Sequence, residues 1–526
     1  MRRIADTFYR SAFSTITFIS GLIFLSGCQT IPVKREIREV QEVAALDPAG
    51  KFIKAHMKNG LAYVMYKWHF DSDDSTLNGH GTFLDINRNV IEKRGDIRSK
   101  KEPEGPMFKV DISDIALIET NDPGRSIAGG LAVVTGITSG FAIFCLINPK
   151  ACFGSCPTFY AWNGDSLMLQ AEGFSTSISP SLERNDIDML YHITADQSVE
   201  LKLTNEAMET HAIRYARLLA FEKRDNERIF ATAEGTFVRA TTMSAPRSCQ
   251  TSTGDCLQMV NTADGREYYS RADSMNLNSR EELIIRFDVT SDQSIGLVLG
   301  KRQTLMTTYL MYQGLAYMGN SATYWLAELE RGKARPSKSI FSLLGGVEVF
   351  SEQPDGNWRF EGELNETGPI ATDFNVVPLS SRADGSITLK LRMNKGLWRI
   401  DYVALATLSG EVHPTMIEPA QVETIIGSEP EPLDKLKNED AYLVTYPGDV
   451  YLIRYDLPFT NAELFLDSKG YYLEWIRDEW VKEQSFSKLA RMINRPSLFL
   501  KRVAGDFKKI EPVMEKTFWN SRYVRK

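Results

Sequence analysis

The sequence has few of the patterns that carry common enzyme chemistry. Its six histidines form neither His-x-x-x-His nor His-Glu-x-x-His, so the spacing of a zinc hydrolase is absent. It contains no Gly-x-Ser-x-Gly and no Gly-x-x-x-x-Gly-Lys-(Ser/Thr), which excludes the usual nucleophile elbow of an α/β-hydrolase and the phosphate loop of a P-loop NTPase. These absences favour binding or scaffolding over catalysis. We predict no catalytic residue, no metal and no cofactor.

The sequence also has no excess of positive charge. It contains 61 lysine and arginine residues against 68 aspartate and glutamate residues, a net charge of −7 at pH 7. Because nucleic-acid binding requires basic groups that neutralise phosphates, we expect no nucleic-acid partner. Hydrophobic residues make up 43% of the chain and aromatic residues 10%, so the chain can bury large cores.

The most informative segment is the start of the chain. An apolar stretch begins near Phe13, after Arg2, Arg3 and Arg10, and ends in Leu25-Ser26-Gly27-Cys28. A basic start followed by a short apolar stretch and small residues is typical of a secretory signal. The last four residues resemble the lipobox of bacterial lipoproteins. That resemblance implies cleavage before Cys28 and acylation of both its thiol and its new amino group, since several acyl chains hold a protein stably at a membrane. An uncleaved signal anchor is the alternative.

The resemblance to lipoproteins also implies a location. In that family an aspartate after the cysteine marks retention in the inner membrane, and this chain has Gln29 there. In a Gram-negative cell we therefore expect an outer-membrane protein that faces the periplasm. Its expected partners are membrane lipid, through acylated Cys28, and an unidentified envelope protein or glycan.

The other five cysteines are interpreted first as disulfide candidates, because exported proteins fold in an oxidising compartment. Cys249 and Cys256 flank a polar, turn-rich loop and are expected to form a disulfide. Cys152 and Cys156 are expected to form a second one, across a three-residue spacer. Cys145 lies in an apolar run and is interpreted as a buried free thiol.

The second cysteine pair leaves other interpretations open. Cys152-x-x-x-Cys156-Pro157 has the spacing of copper-handling thioredoxin-like proteins, and soft thiolates suit Cu(I). No βαβ alternation surrounds the pair here, so metal or thiol handling is the weaker alternative. Residues 154–164 are also similar to a Ser-Cys-Pro-x-x-Tyr-x-Trp-(Asp/Asn)-Gly signature of large secreted or surface proteins. Residues 398–402 resemble the closing strand of their β-domains. These resemblances imply an exported β-architecture and no particular activity.

The distribution of aromatic and β-branched residues predicts a mainly β fold, with β-sandwich or barrel-like domains, helical insertions and a helical C-terminal region. Turn dipeptides such as Asp355-Gly356 and Asp384-Gly385 separate the predicted strands. The predicted organisation is a signal peptide (1–27), a tether (28–50), a β-rich domain (51–125), an apolar glycine-rich segment (126–147), a second β-rich domain (148–300), a helical insertion (301–332), a β-sandwich-like region (339–427), and strands followed by a helical basic tail (438–526).

Three segments leave their local structure open. Residues 126–147 contain no charge and are long enough to span a membrane, but we favour a hairpin or helix packed on the protein or at the membrane surface. Residues 212–222 fit a strand or a helix. The chain from 461 onwards is interpreted as mostly helical, with Leu473, Ile476 and Trp480 on one face.

Few remaining side chains point to a binding site. Asp85-x-Asn87-x-Asn89 begins like a calcium loop but lacks the later glycine and glutamate, so a polar turn is favoured. Carbohydrate binding or carbohydrate chemistry is the alternative function. It requires an open groove, with carboxylates nearby, that is lined by at least one of three tryptophans. The three are Trp162, Trp358 and Trp398.

Overall fold

The computed structural model describes most of the chain from residue 33 to residue 520. The described residues are 33–38, 43, 53–57, 61–84, 90–95, 105–123, 156–175, 177, 183–193, 197–207, 209–289, 294–318, 339–365, 368–380, 385–427, 429–474 and 483–520. The possible membrane span at 126–147 and the calcium-like turn at 85–89 both lie outside these residues.

The described strands, numbered in chain order, are β1 (Val33–Arg38), β2 (Ile53–Met57), β3 (Ala62–Asp71), β4 (Thr76–Leu84), β5 (Val90–Arg94), β6 (Phe108–Asp111), β7 (Ile115–Pro123), β8 (Thr158–Trp162), β9 (Leu167–Glu172), β10 (Arg184–Met189), β11 (Ser198–Thr204), β12 (Glu209–Glu222), β13 (Arg228–Thr232), β14 (Phe237–Ser244), β15 (Ser248–Thr251), β16 (Gly254–Asp255), β17 (Tyr268–Tyr269), β18 (Arg280–Val289), β19 (Ile295–Gln303), β20 (Val347–Glu352), β21 (Trp358–Leu364), β22 (Asp373–Pro378), β23 (Gly385–Asn394), β24 (Trp398–Val412), β25 (Thr415–Ile417), β26 (Gln421–Ile426), β27 (Leu443–Thr445), β28 (Val450–Asp456) and β29 (Ala462–Glu474). The described helices are α1 (Leu257–Val260), α2 (Met306–Met318), α3 (Ser339–Leu344), α4 (Pro432–Lys437), α5 (Phe486–Asn494) and α6 (Pro496–Asn520).

The strands form five sheets, which confirms the mainly β fold class with helical additions and a helical C-terminal region. Sheet I contains β1 to β7, in the order β1-β7-β2-β3-β4-β5, with β6 paired to β4. Sheet II has the order β26-β28-β11-β8-β9. Sheet III has the order β10-β29-β12-β25, with β27 also paired to β12. Sheet IV has the order β14-β13-β22-β19-β24-β17, and sheet V the order β16-β15-β18-β23-β20-β21.

Sheet IV closes on itself. Its strand β14 pairs with β24 as well as with β13, so five strands form a closed ring of hydrogen-bonded neighbours. Every residue of β19 in this ring is buried. Leu297 and Leu299 enter the largest hydrophobic cluster, whereas Val298 enters a second cluster with Phe374 on β22. A strand that faces two cores needs apolar residues on both sides, which explains its continuous apolar run.

The predicted regions 148–300 and 339–427 share sheets in the structure. Sheets II, III and IV each combine strands that precede residue 304 with strands that follow residue 372. In sheet IV, for example, β19 lies between β22 and β24. The later strands supply the backbone partners that the earlier strands lack, so neither region completes its sheets alone.

Strand β29 corrects the helical interpretation of the chain after residue 461 for residues 462–474, whereas α5 and α6 confirm it for residues 486–494 and 496–520. Strands β12 and β29 pair antiparallel from Glu209 with Glu474 to Glu222 with Ala462, and Leu473 lies opposite Thr210. Neighbouring residues of β29 alternate between hydrophobic clusters: Leu464 and Leu466 enter one, and Phe465 enters another. This tertiary environment overrides helix propensity and requires a period of two. Ile476 and Trp480 lie outside the described part of the chain.

Part of the predicted tether is also structured. Residues 33–38 form β1, which pairs antiparallel with β7 and so becomes an edge of sheet I. The mixed charge of these residues gave no strand signal. A strand can form there nevertheless, because an edge strand pairs its backbone on only one side and needs little apolar surface. The tether prediction is therefore wrong for these six residues.

The helices cover one side of the largest hydrophobic cluster. The buried side of α2 joins this cluster, and so does the inward face of α6, through Phe499, Leu500, Val503, Ala504, Phe507, Ile510, Met514 and Phe518. The i, i+3, i+4 spacing of these α6 residues is that of an amphipathic helix packed on a core. Among the described helices, none combines the length and apolar character needed to cross a membrane.

Candidate functional site

The predicted cysteine sites lie in different parts of the structure. Cys249 of β15 and Cys256 form a disulfide with a Cα–Cα distance of 5.1 Å. Cys156 is buried just before β8. Cys28, Cys145 and Cys152 lie outside the described residues, so the lipidation site and the second disulfide remain predictions.

The three tryptophans do not line a common groove. Trp398 begins β24 in sheet IV and is fully buried. Trp162 ends β8 in sheet II and is 54% exposed, opposite Leu167, which is 45% exposed. Trp358 begins β21 in sheet V and is partly buried. The structure therefore places them on three different sheets, and only Trp358 lies among several other aromatic and charged side chains.

Those side chains form the outer face of sheet V. Strands β20 and β23 alternate strictly there, with inward residues such as Val349 and Leu391 in the largest hydrophobic cluster. The outward residues are polar or aromatic. We define the aromatic face as Phe350, Trp358, Phe360, Lys390 and Arg392.

The strand register brings the aromatic face together. Phe350 pairs with Phe360 on one side and with Lys390 on the other, so three outward side chains form a row across β21, β20 and β23. The two phenylalanine rings meet edge to face at 5.5 Å. Phe360 is 53% exposed. An aromatic ring this exposed on the last strand of a sheet is accessible to a partner.

Cations lie against the aromatic rings of this face. The Lys390 Nζ atom is 4.4 Å from the Trp358 ring centre and 5.1 Å from that of Phe350. The Arg392 guanidinium is 4.9 Å from the Phe350 ring centre. All three distances are within the range of cation–π attraction. Each cation is thereby held against a ring, with the Arg392 side chain 42% exposed and the Lys390 side chain 12% exposed.

A carboxylate fixes Arg392 in turn. Arg392 donates from Nε and Nη2 to the two oxygens of Glu348, at 2.7 and 2.8 Å. This hydrogen bonding lowers the pKa of Glu348 below its usual value, so the carboxylate is ionised at neutral pH. The aromatic face thus presents rings, cations and an acid on one rigid sheet. Such a surface suits stacking combined with polar contacts, as in recognition of a flat ligand or a protein anchor residue.

Sequence reasoning identified Trp358 but missed the rest of the aromatic face. A signal was present in strand β20. Val347, Val349 and Ser351 alternate with Glu348 and Phe350, so Phe350 lies on the same outward side as Glu348. A large apolar side chain at an outward position marks a surface that the protein's own core does not use.

A second group of polar residues is buried between β10, β19 and β22. The Lys301 Nζ atom donates to the Asn375 Oδ1 atom at 2.7 Å and lies 3.8 Å from the Asp373 Oδ2 atom. Burial raises the pKa of Asp188 well above its usual value, and the nearby Asp186, Asp373 and Glu172 raise it further, while Lys301 opposes them. Burial also lowers the pKa of Lys301.

This buried group makes the stability of the protein depend on pH. A folded-state pKa raised above the unfolded value means that the folded protein retains a proton that the unfolded chain releases. Stability is therefore expected to fall as pH rises above the ordinary aspartate range. Asp188→Asn, which mimics the protonated acid, is expected to remove this fall. The difference in melting temperature between Asp188→Asn and the parent protein should therefore increase between about pH 4 and about pH 8. A constant difference across that range would contradict the protonated state of Asp188.

The group around Lys301 resembles a packed ion network rather than an open site. Asp188, Lys301 and Asp373 are each at most 5% exposed. Among the described residues, no three His, Cys, Asp or Glu side chains are arranged to hold a metal ion. The aromatic face of sheet V is therefore the better candidate for contact with a partner.

Comparison with known proteins adds no family. No protein-family model matches the sequence, and no curated protein matches it. Solved structures give only low similarity. The cycloalternan-forming enzyme from Listeria monocytogenes has a TM-score of 0.15 at 10% identity, over 66% of this chain and 30% of that one. The VP2 subviral particle protein of infectious bursal disease virus has a TM-score of 0.16 at 10% identity, over 72% of this chain and 99% of that one.

PorU from Porphyromonas gingivalis gives a TM-score of 0.16 at 10% identity, over 60% of this chain and 31% of that one. The chain spans less than a third of the length of PorU and of the Listeria enzyme. Similarity at this level identifies no shared fold, and no function follows from it.

Proposed function

We propose that the protein is a lipid-anchored lipoprotein of the cell envelope, and that it binds or scaffolds an envelope partner without catalysing a reaction. The observation that carries the anchor is the sequence Leu25-Ser26-Gly27-Cys28 at the end of an apolar stretch. The disulfide between Cys249 and Cys256 supports export, because disulfides persist in oxidising compartments.

The binding role is supported by the contrast between the two polar groups described above. The buried acids and lysine between β10 and β22 are enclosed by the core, whereas the aromatic face of sheet V is open. Phe360 in particular is exposed and held edge to face by Phe350. Large aromatic residues of this kind supply most of the binding energy at protein interfaces.

The anchor is tested by Cys28→Ser in the full chain. We expect this variant to be absent from the lipid-anchored fraction, either released or left unprocessed, because serine cannot carry a thioether-linked diacylglycerol. Fractionation and the mass of the N-terminal peptide measure both outcomes. Cys249→Ser is the control, since it also replaces one cysteine with serine, at the cost of the Cys249–Cys256 disulfide, but leaves Cys28 in place. Normal membrane retention together with a normal mass in Cys28→Ser would contradict the anchor.

Carbohydrate binding is the second candidate, favoured by Trp358 and Phe360 on one open sheet near Glu348. If sugars stack on this face, Phe360→Ala should weaken binding to soluble peptidoglycan fragments about tenfold, the loss typical of an exposed aromatic anchor. Trp162→Ala, which removes another exposed aromatic ring from sheet II, should leave binding unchanged. Calorimetric titration measures both. Equal losses in the two variants, or no binding by the parent protein, would exclude a glycan site at sheet V.

A further inference from the structure

We propose that the outer surface of α5 and α6 is a membrane-docking face that binds the headgroups and interfacial region of an anionic phospholipid bilayer. We call it the helical outer face. It is defined by the exposed apolar residues Phe486, Ile493, Leu498 and Val513, and by the exposed basic residues Arg495, Lys501, Arg502, Lys509 and Lys516.

The apolar residues are unusually exposed for their size. Phe486 is 56% exposed, Leu498 51%, Ile493 44% and Val513 43%. Phe486 and Ile493 are seven residues apart and so lie on the same side of α5. Arg495 separates α5 from α6, and Leu498 follows in the first turn of α6. The apolar residues thus continue from the outer side of one helix to the start of the next.

The charges on these two helices are sorted by sign. All exposed charged side chains of residues 486–520 are basic. The three acids point inward or are paired: Glu511 is buried and bonded to Tyr269, Glu515 contacts Arg302 and Arg399, and Asp506 pairs with Lys509. This surface is positive in a protein whose net charge is −7.

Three of the basic residues, Arg502, Lys509 and Lys516, follow the same side of α6 as Leu498. Positions 498, 502, 505, 509, 513 and 516 succeed one another at steps of three or four, which places them along one face of a helix. Arg495, Lys501 and Lys516 make no ion pair with any described residue, so their charge is available.

A bilayer fits this combination better than a protein partner does. Surface-bound helices insert large apolar side chains at the boundary between headgroups and acyl chains, and place lysine and arginine among anionic headgroups. Each basic residue near an anionic membrane surface contributes about 1 kcal/mol, or about fivefold in affinity. The opposite face of α6 is already buried in the core, so the helix would lie along the membrane surface without leaving the protein.

The inference deepens the proposed lipoprotein function, because it assigns the side of the protein that faces the membrane, but it is tested without the anchor. A chain that starts at Gln29 retains every described residue and lacks both Cys28 and the apolar start. Its binding is measured by co-sedimentation with phosphatidylcholine vesicles, with and without phosphatidylglycerol. We expect binding only to vesicles that contain phosphatidylglycerol, and weaker binding at high salt.

Two variants locate the binding surface. Neutralising Arg495, Lys501 and Lys516 to glutamine should weaken binding to phosphatidylglycerol vesicles on the order of a hundredfold. Replacing Phe486, Ile493 and Leu498 with serine should weaken it at least tenfold at the same salt concentration. The matched control neutralises three other basic residues, Arg247, Arg286 and Arg359. Arg286 and Arg359 lie in sheet V, and Arg247 directly precedes its strand β15. This control should bind as the parent does. All substituted side chains are at the surface, so unfolding temperatures are expected to stay the same.

The outcomes are distinct. Equal losses in the helix variants and the sheet V control would mean that net charge alone drives binding, and would overturn the docking face. Binding that survives both helix variants, or that does not require phosphatidylglycerol, would overturn it as well. Failure of the vesicle test leaves acylation of Cys28 unaffected, since that depends on a separate residue and a separate measurement.

Discussion

Replacing Arg302 with alanine is expected to lower the free energy of unfolding by about 3–5 kcal/mol, the cost of breaking a buried ion pair. Arg302 is the second-to-last residue of the buried strand β19. It donates from Nε and Nη2 to Glu267, at 2.5 and 2.7 Å, and from Nη2 to Glu515 of α6 at 2.5 Å. Arg302 also donates from Nη1 to the Pro369 carbonyl oxygen at 2.9 Å. Alanine would leave the two carboxylates near each other with only one of their two shared arginines, Arg399, in contact.

Arg399 limits but does not replace this role. It also contacts Glu267 and Glu515, from a side chain that is 19% exposed against 11% for Arg302. Because Glu515 belongs to α6, we expect Arg302→Ala to loosen the C-terminal helix as well as destabilise the fold. Urea unfolding followed by circular dichroism measures the loss. Hydrogen exchange of α6 shows whether the helix is affected first.

The matched control is Arg247→Ala. Arg247 pairs with a single acid, Asp288, at 3.3 Å, and the two side chains are 74% and 62% exposed. An exposed pair of this kind contributes less than about 1 kcal/mol. Similar losses for Arg302→Ala and Arg247→Ala would contradict the assignment of the Arg302 network as the clamp that holds α6.

Trp398→Ala is expected to cost about 3–5 kcal/mol, the range for removing a large aromatic side chain from a core. Trp398 is fully buried in the largest hydrophobic cluster, at the start of β24. Its removal leaves a cavity between sheet IV and the helices that the neighbouring side chains cannot fill completely. Thermal and urea unfolding measure the loss.

Trp162→Ala provides the comparison for this substitution. It removes the same atoms from a side chain that is 54% exposed, so a change within about 0.5 kcal/mol is expected. If Trp398→Ala were as mild as Trp162→Ala, the position of Trp398 in the core would be wrong. Its role as a sugar-stacking residue would then need to be considered again.

The fold class could be predicted because its signals are local. Turn dipeptides are an example: Gly356 and Gly385 have φ values of +79° and +82°, the left-handed conformation that such turns require. Each is followed by a strand, β21 and β23 respectively. Alternation of apolar and polar residues along those strands is visible in a window of a few residues.

The arrangement of the sheets could not be predicted in the same way, because it depends on partners far apart in the chain. Strand β29 was interpreted as helix from its charged and apolar spacing. Its conformation is determined by β12, which lies more than 200 residues earlier. The aromatic face was missed for a similar reason. Phe350, Phe360 and Lys390 become neighbours only through the register of three strands.

We propose that the protein is held at a membrane through Cys28. The most direct test is the mass of the N-terminal peptide of the full-length protein, expressed in a bacterium and extracted from its membranes with detergent. The proposal predicts a peptide that begins at Cys28 and carries a diacylglycerol on the thiol, with a further acyl chain on the amino group. A peptide that still contains residues 1–27, or that begins at an unmodified residue, would contradict it.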